Sequence, residues 1–137
     1  MSKSAETLAR LFEAARAVQQ RAYTPYSRFK VGAAIIDETG GIHAGCNVEN
    51  AAYPLGACAE ISAISAMIAS GAARISAILV IGDGEALCTP CGGCRQRIRE
   101  FAGPETPVHV AGQAGVRKSY TLAELLPDSF GPHNLPV

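Results

Sequence analysis

The sequence lacks net charge and contains few charged residues. Its 137 residues include 12 lysines and arginines against 12 aspartates and glutamates, so the formal net charge is zero. Binding to a polynucleotide requires a basic face for the phosphates. We therefore expect no nucleic acid polymer among its partners. Charged residues make up only 18% of the chain, which suggests that additional surface is buried between subunits.

Long apolar runs are also missing. No stretch reaches the roughly 20 apolar residues that a membrane-spanning helix needs. The first six residues, 1–6, lack the apolar core of a secretory signal. We expect a cytoplasmic protein that does not contact a membrane.

Length and hydrophobic pattern predict a single α/β domain over residues 1–137. Hydrophobic residues make up 48% of the chain, enough for a real core. The helices predicted from apolar spacing are 5–21, with Ser4 as N-cap, 58–70, 90–101 and a short one after Thr121. The predicted strands are 31–37, 42–48, 75–81, 107–111 and 116–120, and the last ten residues are predicted to be a tail. This alternation indicates a sheet with helices on both faces.

Three of the five cysteines fall where two predicted helices begin: Cys58, Cys91 and Cys94. In a reducing compartment, clustered cysteines more often bind metal or act in catalysis than form disulfides. Cysteines three apart at a helix start place both sulfurs on the same side of the first turn. A third thiolate from another helix gives three ligands and leaves one position of a tetrahedral zinc ion open, the pattern of catalytic zinc.

Other interpretations of the cysteines stay open at this point. Cys88 and Cys91 form a second C-x-x-C, so a closed structural site of four cysteines is possible. A redox pair is a third option. Cys46 and Cys88 are otherwise expected to be small buried residues. Helix N-termini favour thiolates, and we place catalytic zinc ahead of structural zinc and of redox chemistry.

Glu60 favours catalysis over a structural site. Most helix glutamates are solvated, but Glu60 has the apolar neighbours Ala59 and Ile61. Beside an open zinc position, a carboxylate can take a proton from water and return it to a substrate nitrogen.

Several blocks, in order, resemble the short, homotetrameric cytidine deaminases. Zinc deaminases share a ligand-x-Glu segment and a Pro-Cys-x-x-Cys segment, which match 58–60 and 90–94 here. The other matching blocks are 26–34, 46–53, 124–127 and 130–132. The resemblance implies a three-layer α/β/α fold with a mixed five-stranded sheet and one Zn²⁺ per subunit. It also implies a hydrolase of pyrimidine salvage that converts cytidine and deoxycytidine to uridine and deoxyuridine with release of ammonia.

The resemblance assigns roles to the metal and catalytic residues. Cys58, Cys91 and Cys94 would bind zinc, with the fourth position left to water. Glu60 would protonate the ring nitrogen next to the attacked carbon and then pass a proton to the leaving amine.

The resemblance also implies substrate contacts. Asn47 and Glu49 would hydrogen-bond the ribose 3′-hydroxyl, and this agrees with the fact that alternate residues of a strand point the same way. Phe29 would pack on the pyrimidine, and Ala59 is a further substrate-binding position. Phe130 would reach the active site of a neighbouring subunit. From the residues alone, Phe29 and Phe130 would be ordinary core aromatics.

The chain departs from the family at one position. Many members have an arginine directly after the catalytic glutamate, where this chain has Ile61. Zinc with three thiolates carries a net charge of about −1, which opposes deprotonation of bound water. Arg97 stands three residues after Cys94, where the family pattern predicts an apolar residue. Either Arg97 supplies the missing positive charge from the other helix, or it is a surface residue and the helix dipoles suffice.

Two rival functions remain. A related small-molecule aminohydrolase, such as blasticidin S deaminase, would share the zinc motifs. A non-catalytic structural zinc module would use Cys88 as a fourth ligand and would not depend on Glu60. The three histidines have no metal-like spacing, and we interpret them as structural or exposed: His43, His109 and His133.

Overall fold

The computed structural model describes residues 2–136 of the chain. The prediction of a single domain over 1–137 therefore includes two residues, Met1 and Val137, that lie outside the described part. The helices and strands are α1 (Lys3–Gln19), β1 (Val31–Asp37), β2 (Ile42–Cys46), α2 (Ala59–Ala69), β3 (Ile75–Gly82), α3 (Gly92–Phe101), β4 (Pro107–Gly112), β5 (Gly115–Thr121) and α4 (Leu122–Leu125).

The five strands form one mixed sheet in the order β2-β1-β3-β4-β5. Only β3 and β4 are parallel, and the other neighbouring pairs are antiparallel. The predicted fold class, a three-layer α/β/α arrangement around a mixed five-stranded sheet, is confirmed. The crossover that the parallel pair requires is α3.

Strand β3 is apolar over most of its length, and the packing on its two faces explains why. Ile78 and Val80 belong to one core cluster, which they share with α2, α3 and α4. Leu79 and Ile81 point to the other face and pack with α1. Because both faces of the strand are covered, the usual alternation with polar residues is absent.

Several predicted boundaries differ from the structure by one or two residues, and two of these differences have a clear cause. Helix α1 begins at Lys3, because the Ser2 side chain rather than Ser4 caps it by accepting a hydrogen bond from Ala5 N–H at 3.1 Å. Strand β2 ends at Cys46 instead of continuing to Val48, since Val48 forms isolated bridges outside the sheet.

The last residues are not a free tail. A short 3-10 turn covers Pro132–Asn134. Arg99 of α3 donates to the Ser129 hydroxyl at 2.9 Å, and the Gln96 amide donates to the carbonyl of Phe130 at 2.9 Å. These contacts dock the C-terminal segment on α3. Over residues 2–136, none of the helices has the length and apolar character needed to cross a membrane.

Candidate metal centre and active site

Cys58 and Cys91 occupy equivalent positions in the fold. Each is the N-cap of a helix, Cys58 of α2 and Cys91 of α3, and each has extended backbone angles. The Cys58 sulfur accepts a hydrogen bond from the main-chain N–H of Ile61 at 3.4 Å. Free N–H groups and the helix dipole favour an anionic sulfur at such positions.

The two helix starts bring thiols and a carboxylate together. Cys94, buried in the first turn of α3, places its sulfur 2.9 Å from the sulfur of Cys58. The ligand atoms of Cys58, Glu60 and Cys94 all lie within 4.8 Å of one another, the only such group found in the described part of the chain. Cys91 lies outside this group, at the N-cap of α3 three residues before Cys94.

The hydrogen bond between the two sulfurs moves the pKa values of Cys58 and Cys94 in opposite directions. The Cys94 thiol donates to Cys58, which is the main reason that the pKa of Cys58 lies well below its usual range. The same hydrogen bond raises the pKa of Cys94. Two thiolates at 2.9 Å would repel each other, so the pair needs a proton or a metal ion. This donor set of soft sulfurs fits zinc, and Cys58, Cys91 and Cys94 are the residues that could hold it.

Glu60 is one of the few buried charged residues, with 4% of its surface exposed. Burial raises the pKa of Glu60 to about 7, and the neighbouring Cys58 adds to this effect. A carboxyl group with a pKa near neutrality can both accept and release a proton during turnover. The position is therefore suited to proton transfer.

A cavity of about 600 Å³ opens directly onto this cluster. It is large enough for a small molecule of nucleoside size. Seven of the ten predicted site residues line it: Asn47, Glu49, Cys58, Ala59, Glu60, Cys91 and Cys94. The fold thus brings α2, α3 and the segment after β2 to one cavity.

The other three predicted residues lie outside the cavity lining. Phe29 lies beside Cys88, since a Cβ at Gly82 would meet both side chains. Phe130 is 58% exposed and lines a second cavity, next to the C-terminal turn. Arg97 is exposed, with its Nη1 atom 3.5 Å from the Cys58 sulfur.

Asn47 is held by the segment that precedes β1. Its side-chain oxygen accepts from Val31 N–H at 2.9 Å, and its amide nitrogen donates to the Phe29 carbonyl at 2.9 Å. The strand predicted over 42–48, on which the alternation of Asn47 and Glu49 was based, was too long, because β2 ends at Cys46. Both residues still border the cavity, as parts of an irregular segment.

Glu49 organises the loop next to Asn47. Its carboxylate accepts from the N–H groups of Tyr26 at 3.0 Å and Ser27 at 3.1 Å, and also from the Ser27 hydroxyl. The hydrogen bond from the Ser27 hydroxyl is the main reason that the pKa of Glu49 is lowered. A carboxylate at this position therefore stays ionised while it fixes the approach to Phe29.

Sequence reasoning missed several residues at the cavity. Tyr26 and Tyr53 line it with ring centroids 6.0 Å apart, and their spacing in the sequence gives no signal for this pair. Cys88 also lines the cavity but does not join the sulfur cluster. Burial raises the pKa of Cys88, so it is a thiol in the cavity wall.

Arg95 is a further residue that the sequence did not single out. Its Nε atom donates to the carbonyl of Pro90 at 2.7 Å, and its Nη1 atom donates to that of Leu125 at 2.8 Å. These bonds tie the segment before α3 to α4. They fix the backbone that presents Cys91.

The three histidines take no part in the cluster. His43 pairs with Asp37 at 2.5 Å, His109 contacts the Ser119 hydroxyl at 2.6 Å, and the exposed His133 lies 3.2 Å from the Arg99 guanidinium.

Comparison with known proteins gives a consistent result. Residues 5–110 match the family described as the cytidine and deoxycytidylate deaminase zinc-binding region. A cytidine deaminase of Sporosarcina psychrophila is 39% identical over 126 residues, covering 92% of this chain and 93% of that protein. One from Mycobacterium tuberculosis is 41% identical, covering 84% and 83%.

Solved structures agree with the sequence relatives. The crystal structure of a cytidine deaminase from Burkholderia pseudomallei has a TM-score of 0.82 and 41% identity, covering 95% of this chain and 100% of that one. The Mycobacterium tuberculosis enzyme has a TM-score of 0.77 and 37% identity, covering 90% and 96%. With the family matched over most of its length and relatives near 40% identity, the chain belongs to the cytidine and deoxycytidylate deaminase family.

Proposed function

We propose that the chain is a zinc-dependent hydrolase that deaminates cytidine and deoxycytidine to uridine and deoxyuridine, with release of ammonia. The observation that carries this proposal is the buried carboxyl of Glu60, within 4.8 Å of the sulfurs of Cys58 and Cys94 and lining the cavity. The products place the reaction in pyrimidine salvage.

The residues divide the chemistry between them. Cys58, Cys91 and Cys94 would hold a zinc ion, which when bound would lower the pKa of water at its open position. Glu60 takes a proton from the attacking water and delivers it to the ring nitrogen next to the attacked carbon. It then carries the second proton of that water, from the new hydroxyl group on the attacked carbon, to the amine, which leaves as ammonia when the C–N bond breaks. A pKa near 7 allows Glu60 to hold and release protons at neutral pH.

The substrate proposal rests on the cavity wall. Asn47 and Glu49 line the cavity, and we assign them to the ribose hydroxyl. Ala59 lines the floor next to Glu60 and contacts the base, and Phe29 packs on the pyrimidine from the cavity edge. The zero net charge provides no track for a phosphate backbone. A free nucleoside is therefore the substrate we favour over a polynucleotide.

We also propose a homotetramer with shared active sites. Exposed apolar side chains support this, with Tyr53 at 75% and Leu55 at 73% exposure on the turn beside the cavity. Phe130 would enter the cavity of a neighbouring subunit. Light scattering should give four times the chain mass of 14.2 kDa. A monomer mass would overturn both the assembly and the shared role of Phe130.

We place the enzyme in the cytoplasm, where a reducing environment keeps the ligand thiols reduced. Fractionation of cells that produce it from its native sequence tests this. Recovery of the activity outside the cytoplasmic fraction would contradict the proposal.

The decisive experiment follows the ultraviolet absorbance of cytidine with zinc-loaded wild type and Glu60→Gln. We expect turnover by the wild type and a loss of at least about 100-fold in the variant, since general acid–base groups contribute that much or more. Zinc content must be equal in both proteins. Zinc-loaded wild type without turnover would refute the proposed enzyme, and turnover that survives in Glu60→Gln would refute the mechanism. Faster turnover of blasticidin S than of cytidine would favour the related aminohydrolase.

A further inference from the structure

Arg97 is directed at a sulfur on a different helix. Its Nη1 atom lies 3.5 Å from the sulfur of Cys58, although the two residues are 39 positions apart. Arg97 follows Cys94 by three residues in α3, so both side chains lie on the same face of that helix. The guanidinium thus reaches across from α3 to the cap of α2.

The other arginines of α3 are engaged elsewhere. Arg95 donates to the carbonyls of Pro90 and Leu125. Arg99 contacts Ser129 and His133. Of the three arginines on α3, Arg97 alone contacts the sulfur cluster.

The Cys58 sulfur has two hydrogen-bond donors of different character. One is the main-chain N–H of Ile61 at 3.4 Å. The side chain of Ile61 packs against the core cluster that contains Ile78 and Val80. It is uncharged, so position 61 contributes no charge to the site. The other donor is the guanidinium of Arg97, which adds a full positive charge. Charged donors to anionic acceptors form stronger hydrogen bonds than neutral ones.

The charge balance of the site gives this contact a purpose. Three thiolates around a doubly charged ion leave a net charge of about −1. Glu60 adds a further carboxyl group within 4.8 Å of two of these sulfurs, those of Cys58 and Cys94. A cation beside Cys58 lowers the cost of keeping sulfur anionic next to that carboxyl.

We propose that Arg97 is a positioning residue for the metal centre: its guanidinium holds the Cys58 sulfur as a zinc-bound thiolate and offsets the negative charge of the three sulfur ligands. The inference rests on the proposed function because it takes Cys58 to be a zinc ligand. It goes further because it assigns to a residue of α3 the positive charge that the residue after Glu60 does not provide.

The test measures zinc retention rather than turnover. Four zinc-loaded proteins are each mixed with an excess of a chromophoric chelator at fixed pH. They are the wild type, Arg97→Gln, Arg97→Lys and the double variant Arg97→Gln with Ile61→Arg. Arg10→Gln is the control, because Arg10 is an exposed residue of α1, on the opposite face of the sheet. The rate of zinc transfer is the readout.

We expect Arg97→Gln to release zinc about two- to fivefold faster than Arg10→Gln, the modest size reflecting the exposure of the guanidinium. Arg97→Lys should recover part of the difference. The double variant should recover it as well, since residue 61 already contacts the same sulfur through its N–H. In cobalt-substituted protein, the sulfur-to-metal charge-transfer band should shift in Arg97→Gln and not in Arg10→Gln.

The dependence of the zinc-release rate on salt concentration is a second measurement. Raising ionic strength should speed zinc release from the wild type more than from Arg97→Gln, because an exposed charge contact is screened. Equal release rates and equal cobalt spectra in Arg97→Gln and Arg10→Gln would overturn the proposal. Cytidine turnover is recorded separately. Wild type without turnover but with an Arg97 effect on zinc would refute the enzyme and leave this inference intact.

Discussion

The side-chain amide of Gln19 lies 3.2 Å from the carboxylate of Asp83, although 64 residues separate them. The same amide nitrogen donates to the carbonyl of Lys30 at 3.0 Å, and the Gln19 oxygen accepts from Gln113 at 2.8 Å. Asp83 also accepts from the N–H of Lys30 at 2.9 Å. This network ties the end of α1 to the segment that carries Phe29.

Gln19→Leu should destabilise the protein and raise KM for cytidine. Gln19 is fully buried, and its loss removes the donor to the Lys30 carbonyl and to the Oδ1 atom of Asp83, at a cost of about 1–3 kcal/mol. Urea unfolding measures the stability. Gln20→Leu is the matched control because Gln20 is exposed and should be nearly neutral. Equal unfolding free energies for the two variants would contradict the role of the network.

Glu49→Gln should raise KM for cytidine by about tenfold or more, since hydrogen bonds to a charged group contribute about 1.5–3 kcal/mol and 1.4 kcal/mol corresponds to a factor of ten. A glutamine amide cannot accept all the hydrogen bonds from Tyr26 and Ser27. Steady-state kinetics measure the change. Glu38→Gln is the control, because Glu38 accepts from the N–H groups of Ala73 and Arg74 and does not line the cavity. It should lose stability and leave KM unchanged. A KM for Glu49→Gln equal to that of the control would refute the prediction.

Gly45→Ala should destabilise the protein by about 1–3 kcal/mol or more, as overpacking does. A Cβ at Gly45 would lie 2.4 Å from the nitrogen of Ala63 and 2.6 Å from the carbonyl carbon of Ser62. Strand β2 would push α2 away and displace Cys58 and Glu60 with it. Thermal unfolding and bound zinc should both fall. Gly103→Ala, where an added Cβ meets nothing within 4 Å, should leave both unchanged, and the idea fails if the two variants behave alike.

Asp37→Asn should cost stability at neutral pH and little in acid. The hydrogen bond from His43, helped by Thr39, holds the pKa of Asp37 far below its ordinary value of 3.8. A lowered pKa gives stability that is present above 3.8 and is lost as the pH falls towards the folded-state value. Urea unfolding at pH 7, 5 and 3 should show the gap between wild type and variant narrowing only below about pH 4. A gap that is constant over this range would show that the carboxylate charge is not responsible.

Local sequence patterns predicted much of this fold because they depend on neighbouring residues. The capping box of Thr121 and Glu124 is present at α4 as expected. The positive φ of 101° at Gly71 ends α2 where the sequence placed a stop. The start of α1 was misplaced because Ser2 and Ser4 are both good caps, and only the first makes the bond.

The arrangement of the site could be predicted only in part. The spacing of Cys91 and Cys94 located one half, and Glu60 followed from its apolar neighbours. The contacts of Asn47 depend on where β2 stops, and no local signal marks that point. Likewise, the reach of Arg97 to Cys58 depends on how α2 and α3 pack against each other.

The contact between the sulfurs of Cys58 and Cys94 closes a loop of chain 36 residues long. All of α2 and β3 lie inside this loop. A nascent or truncated chain that ends before α3 therefore has only half of the site, even when its own helices have formed. The chain can bind the metal ion only after β3 has joined the sheet and α3 has packed beside α2. Only molecules that have completed this folding can therefore contribute to the zinc content of a preparation.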